Sequence, residues 1–200
     1  MILAGDTMKL GFAAAFAVGI LIVGSANAAP VNRYYDVASH TWVELGPGGR
    51  STANPVPRQT VKYEGPYQAN TIVISTSERR LYYVLGDGKA IKYGVGVGRD
   101  GFTWAGTNRI TRMQEWPGWT PPPAMRRRRP DLPAHMEGGP SNPLGARAMY
   151  IGSTLYRIHG SNEPWSIGQA VSSGCIRMVN DDVIHLYGQV KVGTKVVVLN

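Results

Sequence analysis

The sequence predicts a mainly β domain that carries one short helix and one long loop. Short β-branched and aromatic runs recur from residue 71 onward, and residues that favour turns separate them. The chain has 25 glycines and 14 prolines, which suits strands joined by many turns rather than a helical bundle. Because 43% of the 200 residues are hydrophobic, the chain can form a core, and a disordered protein is excluded.

The first 28 residues have the layout of a secretory signal peptide. Lys9 begins a basic segment, residues 10–23 are almost wholly apolar, and Ala26-Asn27-Ala28 supplies the small-residue cleavage pattern. The apolar run is short for a membrane-spanning helix, and an uncleaved anchor is the alternative. Translation can begin at Met1 or at Met8, which the sequence leaves open. We therefore expect an exported protein, periplasmic in a Gram-negative cell, with no stable membrane span after cleavage.

Residues 29–69 are predicted to form an irregular N-terminal arm, and residues 70–200 the main domain. Motifs such as Pro47-Gly48-Gly49 and Pro55-Val56-Pro57 interrupt any regular element in the arm. The main domain opens with predicted strands at Thr71–Ile74, Leu81–Leu85 and Ala90–Tyr93. Asp87-Gly88 predicts a tight hairpin turn between the last two strands, because that turn needs positive φ angles. Alternating glycines through Gly98 predict that the third strand continues.

Residues 114–145, which we call the flap, are predicted to be a long loop without helical or strand periodicity. The flap holds Trp116, Trp119, three consecutive prolines and a run of arginines, Arg126 to Arg129. Loops of this length in compact domains are often lids or binding loops. We therefore expect Trp116 and Trp119 to contact a substrate. A solvated charge run is the alternative for the arginines.

The remaining elements follow the flap. Two further strands are predicted at Met149–Ile151 and Leu155–Ile158. Asn180 is expected to cap a short helix over Asp181–Tyr187, which Gly188 ends. A Val-rich strand at Lys195–Leu199 completes the domain.

Charge and cysteine content narrow the class of protein. The formal net charge of +8 favours nucleic acid, anionic lipid or an acidic wall polymer as partner, but export opposes nucleic acid. A single cysteine excludes an intramolecular disulfide and a multi-cysteine zinc site. The four histidines show no metal-ligand spacing, so neither a metal nor another cofactor is expected.

Cys175 and His159 are the candidate nucleophile and base. A thiol is a weak nucleophile until it loses its proton, and an imidazole can accept that proton. Gly160 follows the histidine and Gly174 precedes the cysteine, so the backbone can bend there and leave N–H groups available to an oxyanion. Arg177 shares a face with the thiol if the segment is extended, and its guanidinium can bind a substrate carboxylate. The residues alone do not bring the thiol and imidazole together in space, so an inert thiol stays open.

Two segments resemble the signature of L,D-transpeptidase catalytic domains, which have the YkuD-type fold. They are Ile158-His159-Gly160-Ser161-Asn162 and Ser172-Ser173-Gly174-Cys175-Ile176-Arg177-Met178. In that family a strand ending in His-Gly precedes a Ser/Thr-x-Gly-Cys-hydrophobic-Arg/Asn block. The likeness extends from about Thr71 to Leu199 and implies a YkuD-type β-sandwich, with the flap over the active-site cleft.

The resemblance implies a role for each matching residue. Cys175 would attack the donor carbonyl and form a thioester, and His159 would be the general base. The carbonyl of Gly160 would orient the imidazole. The backbone N–H groups of Gly174 and Cys175 would form the oxyanion hole, and Arg177 would bind or order the substrate.

Ser173 is a departure from the family pattern, because many members have histidine at this position. Any role of that second histidine is therefore absent here. Ser173 can still offer its backbone N–H to the oxyanion, and the base remains His159.

The expected reaction is acyl transfer on peptidoglycan stem peptides, in which cleavage after meso-diaminopimelate releases D-alanine. The acceptor amine belongs either to a second stem or to an outer-membrane protein, so the product would contribute to wall organisation and cell shape. An L,D-carboxypeptidase or peptide-trimming amidase with the same residues is one alternative. A non-catalytic wall-binding module with an inert thiol is another.

Overall fold

The computed structural model describes residues 32–36, 41–45, 54–128 and 130–200. The predicted signal peptide, residues 47–49 of the arm and Arg129 lie outside these residues. The strands are β1 (Asn32–Asp36), β2 (Thr41–Leu45), β3 (Gln59–Lys62), β4 (Thr71–Ser75), β5 (Arg80–Gly86), β6 (Lys89–Gly94), β7 (Val97–Gly98), β8 (Gly106–Glu115), β9 (Arg147–Ile151), β10 (Arg157–His159), β11 (Ala170–Ser172), β12 (Ile176–Arg177) and β13 (Lys195–Leu199). The helices are α1 (Pro123–Arg128), α2 (Asn180–Tyr187) and a 3-10 turn at Pro164–Ser166. The predicted mainly β fold is confirmed.

One nine-stranded sheet, in the order β12-β10-β9-β8-β13-β4-β5-β6-β3, forms most of the domain. β8 pairs with β13 as far as Arg109 and with β9 from Ile110 onward, and a bulge lies between Ile110 and Arg112. A bulge bends and twists a strand, so β8 can serve two halves of a sheet. Residues from both halves, such as Ile72 and Ile158, share one buried cluster. The two halves therefore pack face to face, as expected for a sandwich.

The hairpin β5–β6 follows the sequence prediction closely. Asp87 and Gly88 connect the strands with φ angles of 48° and 67°. Two successive positive φ angles are typical of the tight turn that matches the twist of paired strands. The predicted strands that became β4, β5, β6, β9 and β13 are all present in the structure.

The predicted irregular arm is wrong where strands occur within it. β1 and β2 pair with each other, and β3 adds to the edge of the large sheet beside β6. Three of the four residues of β3 are exposed. An edge strand with so little burial leaves almost no apolar alternation for sequence reasoning to detect.

The predicted continuous strand through the alternating glycines is also wrong. β6 ends at Gly94, and β7 pairs separately with β11. Between them, Gly96 forms a reciprocal backbone bridge with Arg177, with both N–O distances 2.9 Å. A side chain at Gly96 would press on the Ser166 carbonyl, so the glycine allows this close approach.

The flap contains regular structure that the sequence analysis did not predict. β8 reaches Glu115, and Trp119 and Met136 form a β-bridge with N–O distances of 2.7 and 2.8 Å. Pro123 begins the short helix α1, a position where the missing N–H of proline costs no hydrogen bond. The three described arginines of the run lie on the exposed side of α1. The flap packs on itself through a second buried cluster, Trp119, Met125, Leu132 and Leu144.

The predicted short helix is present as α2 and ends at Gly188, but the predicted cap is wrong. Val179 is the N-cap residue, and Asn180 lies inside the first turn. The side-chain oxygen of Asn180 instead accepts a hydrogen bond from the N–H of Ala146 at 2.9 Å. Asn180 therefore connects α2 to the end of the flap. Val183 and Leu186 bury the helix against the main core, each contributing about 2 kcal/mol.

Candidate active site

The strand pair β10–β12 brings the predicted nucleophile and base to one face of the sheet. The two strands are parallel, with Ile158 opposite Ile176 and His159 opposite Arg177. Both isoleucines are buried in the main core. Because side chains alternate along a strand, the residues on either side of each isoleucine point to the opposite face. Cys175, which directly precedes Ile176, therefore lies on the same face as His159.

The turn that carries Cys175 is held by its own side chains. The Ser172 hydroxyl donates to the Cys175 carbonyl at 2.6 Å and accepts from the Gly174 N–H at 3.1 Å. Gly174 has a φ angle of 102°, a conformation that other residues rarely adopt. The conformation of the turn therefore depends on this serine and this glycine.

An aromatic pair supports the same turn from outside. The indole N–H of Trp104 donates to the Gly174 carbonyl at 3.0 Å. The Trp104 ring stacks on Tyr156, with 4.8 Å between the centroids and 5° between the planes. A Cβ at Gly174 would collide with the Tyr156 ring. Trp104 and Tyr156 thus hold the backbone next to the thiol by one hydrogen bond and by shape.

His159 is buried, and its tautomer follows from its hydrogen bond. Its Nδ1 lies 2.5 Å from the carbonyl oxygen of Gly160. A carbonyl can only accept, so Nδ1 carries the proton and Nε2 carries the lone pair. The pKa of His159 is lowered to about 3, mainly by burial and also by the charges of Arg157 and Arg177, while hydrogen bonds to the backbone of Gly160 and Leu144 act in the opposite direction. The imidazole is therefore neutral at ordinary pH.

The thiol of Cys175 is half-buried and faces a cavity. Its Sγ lies 3.9 Å from the carbonyl oxygen of Leu155. Among the hydrogen bonds of the described residues, none joins this Sγ to His159. Both residues nevertheless line the same cavity.

The cavity has a volume of about 410 Å³ and lies between the sheet and the flap. The sheet side supplies His159, Cys175 and Arg177, and the flap side supplies Trp119, Pro122, Met125 and Leu144. Of the two predicted flap tryptophans, Trp119 lines the cavity and is 5% exposed. Trp116 is 44% exposed and is not among the cavity-lining residues.

Arg177 reaches the cavity but is also part of a buried ion pair. Its Nη1 lies 2.8 Å from a carboxylate oxygen of Glu163 and 3.5 Å from the Ser166 hydroxyl. The side chains of Arg177 and Glu163 are 4% and 2% exposed. The carboxylate thus neutralises a cation that would otherwise lie uncompensated beside His159.

The predicted oxyanion donors are placed unequally. The N–H of Gly174 is already bonded to Ser172, as described above. Among the described residues, the N–H groups of Ser173 and Cys175 have no acceptor. The N–H groups of Ser173 and Cys175 are therefore better placed than that of Gly174 to donate to a developing oxyanion.

Several residues of the site were missed by sequence reasoning. Trp104 lies far from the two motifs in sequence, and Leu155 and Glu163 lie close to the first motif but belong to no recognisable pattern. Of these three residues, only Glu163 carried a signal in the sequence, because it is a carboxylate that lies between the two motifs. Among residues with described side chains, no group of three or more His, Cys, Asp or Glu could hold a metal ion.

Comparison with known proteins gives a consistent result. The model of the YkuD family, described as an L,D-transpeptidase catalytic domain, matches residues 69–198. The probable L,D-transpeptidase ErfK/SrfK of Escherichia coli K12 is 43% identical over 138 residues, covering 64% of this chain and 44% of that protein. The probable L,D-transpeptidase YbiS of the same strain is 33% identical over 196 residues, covering 88% and 62%. The chain thus spans less than two thirds of the length of either curated relative.

A solved structure shares the fold. An L,D-transpeptidase from Mycobacterium smegmatis superposes with a TM-score of 0.52 at 18% identity, covering 65% of this chain and 58% of that one. In the part of the chain that the structure describes, no helix is long and apolar enough to cross a membrane.

Proposed function

This chain belongs to the family of L,D-transpeptidase catalytic domains, and we propose that it transfers acyl groups of peptidoglycan stem peptides through a thioester on Cys175. The observation that carries the proposal is the shared cavity of Cys175 and His159, in which the Gly160 carbonyl fixes the imidazole tautomer. The acceptor would be an amine of a second stem or of an outer-membrane protein. The enzyme would work in the periplasm after removal of residues 1–28.

His159 would act as a general base that is neutral at rest. With the proton on Nδ1, the lone pair of Nε2 can accept the thiol proton as the sulfur attacks the donor carbonyl. A C–S bond forms and the C–N bond to the terminal D-alanine breaks. Because burial makes the imidazolium unfavourable, His159 readily passes the thiol proton on to the departing amine of D-alanine.

The developing oxyanion would be stabilised by backbone donors of the cysteine turn. The N–H groups of Ser173 and Cys175 are the available pair, since Gly174 donates to Ser172. Removing one such donor typically costs about 100-fold or more in rate. Gly174 would contribute by its left-handed conformation, which aims the neighbouring N–H groups.

Arg177 would bind a donor carboxylate while remaining paired with Glu163. Nη1 is held by the glutamate, so a substrate would meet the remaining guanidinium nitrogens at the cavity wall. Trp119 and the other apolar flap residues would cover the donor and exclude water from the thioester. Exclusion of water favours an amine over water as acceptor, which favours transfer over the carboxypeptidase alternative.

The test is the intact mass of the mature protein after incubation with a carbapenem, compared with Cys175→Ala. A β-lactam acylates an activated nucleophile, so we expect one drug adduct on the parent protein and none on the variant. Products from a tetrapeptide stem, with and without an amine acceptor, then separate transfer from hydrolysis. A folded parent protein that forms no adduct and leaves the stem intact would refute the proposal and favour the wall-binding module.

A further inference from the structure

A row of charged and aromatic side chains runs from the thiol across the open face of the sheet. Arg157 on β10 is paired in register with Tyr150 on β9, and Tyr150 with Arg112 on β8. The register of β10 and β12 places Cys175 beside Arg157. With roughly 4.8 Å between neighbouring strands, the row extends about 14 Å from the thiol to Arg112.

All members of the row lie on the face opposite the main core. Met149 and Ile151 on β9, and Ile158 on β10, are buried in that core. Side chains alternate along a strand, so Tyr150 and Arg157 point to the other face. The bulge after Ile110 resets the alternation of β8 and brings Arg112 opposite Tyr150.

Tyr150 holds the two arginines in place. The guanidinium carbon of Arg112 lies 3.7 Å from the centre of the Tyr150 ring, and that of Arg157 lies 5.6 Å from it. Both distances are within the range of attraction between a cation and an aromatic face. Arg157 also donates to the Leu155 carbonyl from Nε and Nη2, at 3.4 and 3.2 Å. The cations are therefore oriented before any ligand arrives.

Neither arginine of the row has a carboxylate partner among the described residues. Three other arginines have a carboxylate partner: Arg58 pairs with Asp182, Arg147 with Glu115 and Arg177 with Glu163. A planar guanidinium binds a carboxylate through two parallel hydrogen bonds. The row thus offers two oriented, uncompensated cations on a partly exposed surface.

We propose that the row Arg112–Tyr150–Arg157 binds the carboxylates of an acidic peptide that carries the acceptor amine to the Cys175 thioester. This inference rests on the proposed function. Arg157 lines the cavity, whereas Arg112 lies outside it, so the row leads from the open sheet to the reacting sulfur. An acceptor stem carries carboxylates on glutamate and diaminopimelate, which matches the charge of the row.

The acceptor step balances with the groups already described. The amine nitrogen attacks the thioester carbonyl, so a C–N bond forms and the C–S bond breaks. The proton lost by the amine passes through His159 to the sulfur and restores the thiol. No atom of the row forms or breaks a bond in this step, and the role we assign to its two arginines is to bind and orient the acceptor.

Peptide binding without turnover tests the inference independently of catalysis. The full mature chain carrying Cys175→Ala would be titrated calorimetrically with L-Ala-γ-D-Glu-meso-diaminopimelate and with the same peptide whose carboxylates are amidated. We expect the acidic peptide to bind more tightly. Arg112→Gln should weaken its binding about 1.5-fold to fivefold, the range for one exposed charge pair, and leave the amidated peptide unaffected. Arg112→Glu should weaken it further.

Arg109→Gln is the matched control, because Arg109 is an exposed arginine on the part of β8 that pairs with β13. It should change neither affinity. Equal binding of the two peptides, or an Arg112→Gln effect no larger than that of Arg109→Gln, overturns the inference. Failure of the proposed function would show separately, as the absence of a carbapenem adduct on Cys175.

Discussion

Replacing Glu163 with glutamine should expose how much the domain depends on the buried pair beside the base. The substitution keeps the size of the side chain and removes its charge. Arg177 would then remain 4% exposed with no counter-charge at the 2.8 Å position. Breaking a buried pair by removing one partner costs about 3–5 kcal/mol, because the surviving charge stays desolvated.

For a domain of this size, a loss of about 3 kcal/mol lowers the thermal midpoint by roughly 10 °C. Urea denaturation of Glu163→Gln, Arg177→Met and the double variant would give the coupling energy between the two side chains. We expect the double variant to recover much of the loss, since it leaves no uncompensated charge. We also expect the carbapenem acylation rate of Glu163→Gln to fall, because the freed cation lies beside His159.

A matched control is available on the surface. Lys62 and Glu64 lie 2.6 Å apart, but their side chains are 81% and 76% exposed. Glu64→Gln should cost less than about 1 kcal/mol, since solvent screens an exposed pair. If Glu163→Gln were no more destabilising than Glu64→Gln, the reasoning that burial makes this pair essential would be refuted.

Three further outcomes are expected around the cysteine turn. Trp104→Phe keeps an aromatic ring against Tyr156 but removes the indole N–H that donates to Gly174. Acylation by a carbapenem should therefore slow by about fivefold to tenfold, which is the contribution of one hydrogen bond. Tyr156→Phe is the control, and equal acylation rates for the two variants would contradict this prediction. Gly174→Ala should lower the free energy of unfolding, measured by urea denaturation, more than Gly101→Ala does. The φ angle is positive at both sites, but only at Gly174 would the added Cβ also meet the Tyr156 ring. Equal losses of unfolding free energy would show that the clash is relieved. Because the pKa of His159 is lowered to about 3, the imidazole stays neutral as the pH falls through 6.5. The value of kcat/KM should therefore fall only near pH 3, where His159 becomes protonated and can no longer act as a base. A fall in kcat/KM at about pH 6.5, absent in no-enzyme controls, would disprove this protonation state.

Sequence reasoning worked best where local chemistry decides structure. The Asp87-Gly88 turn has one favoured conformation, and the Val-rich β13 is buried along its centre, so both appeared as predicted. The polar strand β8 was missed because most of its side chains are exposed and its bulge interrupts the alternation. α1 was missed because prolines precede it, although Pro123 is tolerated as its first residue.

The candidate site was only partly predictable, because the sequence reveals local features but not contacts between distant segments. The motifs identified His159 and Cys175, because both residue types and their glycines are local features. The support given by Trp104 and Glu163 depends on contacts between segments distant in sequence. The roles assigned to Arg177 and Trp116 stay predictions, and the structure adds that one is ion-paired and the other lies outside the cavity lining.

The distance in sequence between the two motifs has a physical reason in the topology. β10 and β12 are parallel neighbours, so the chain must leave one end of β10 and return to the start of β12. Such a crossover needs a dozen or more residues, and the segment from Gly160 to Gly174 supplies it. Glu163 lies in this crossover and pairs with Arg177 on β12. The same ion pair that compensates a charge beside His159 therefore also closes the crossover that brings the thiol and the imidazole to one face.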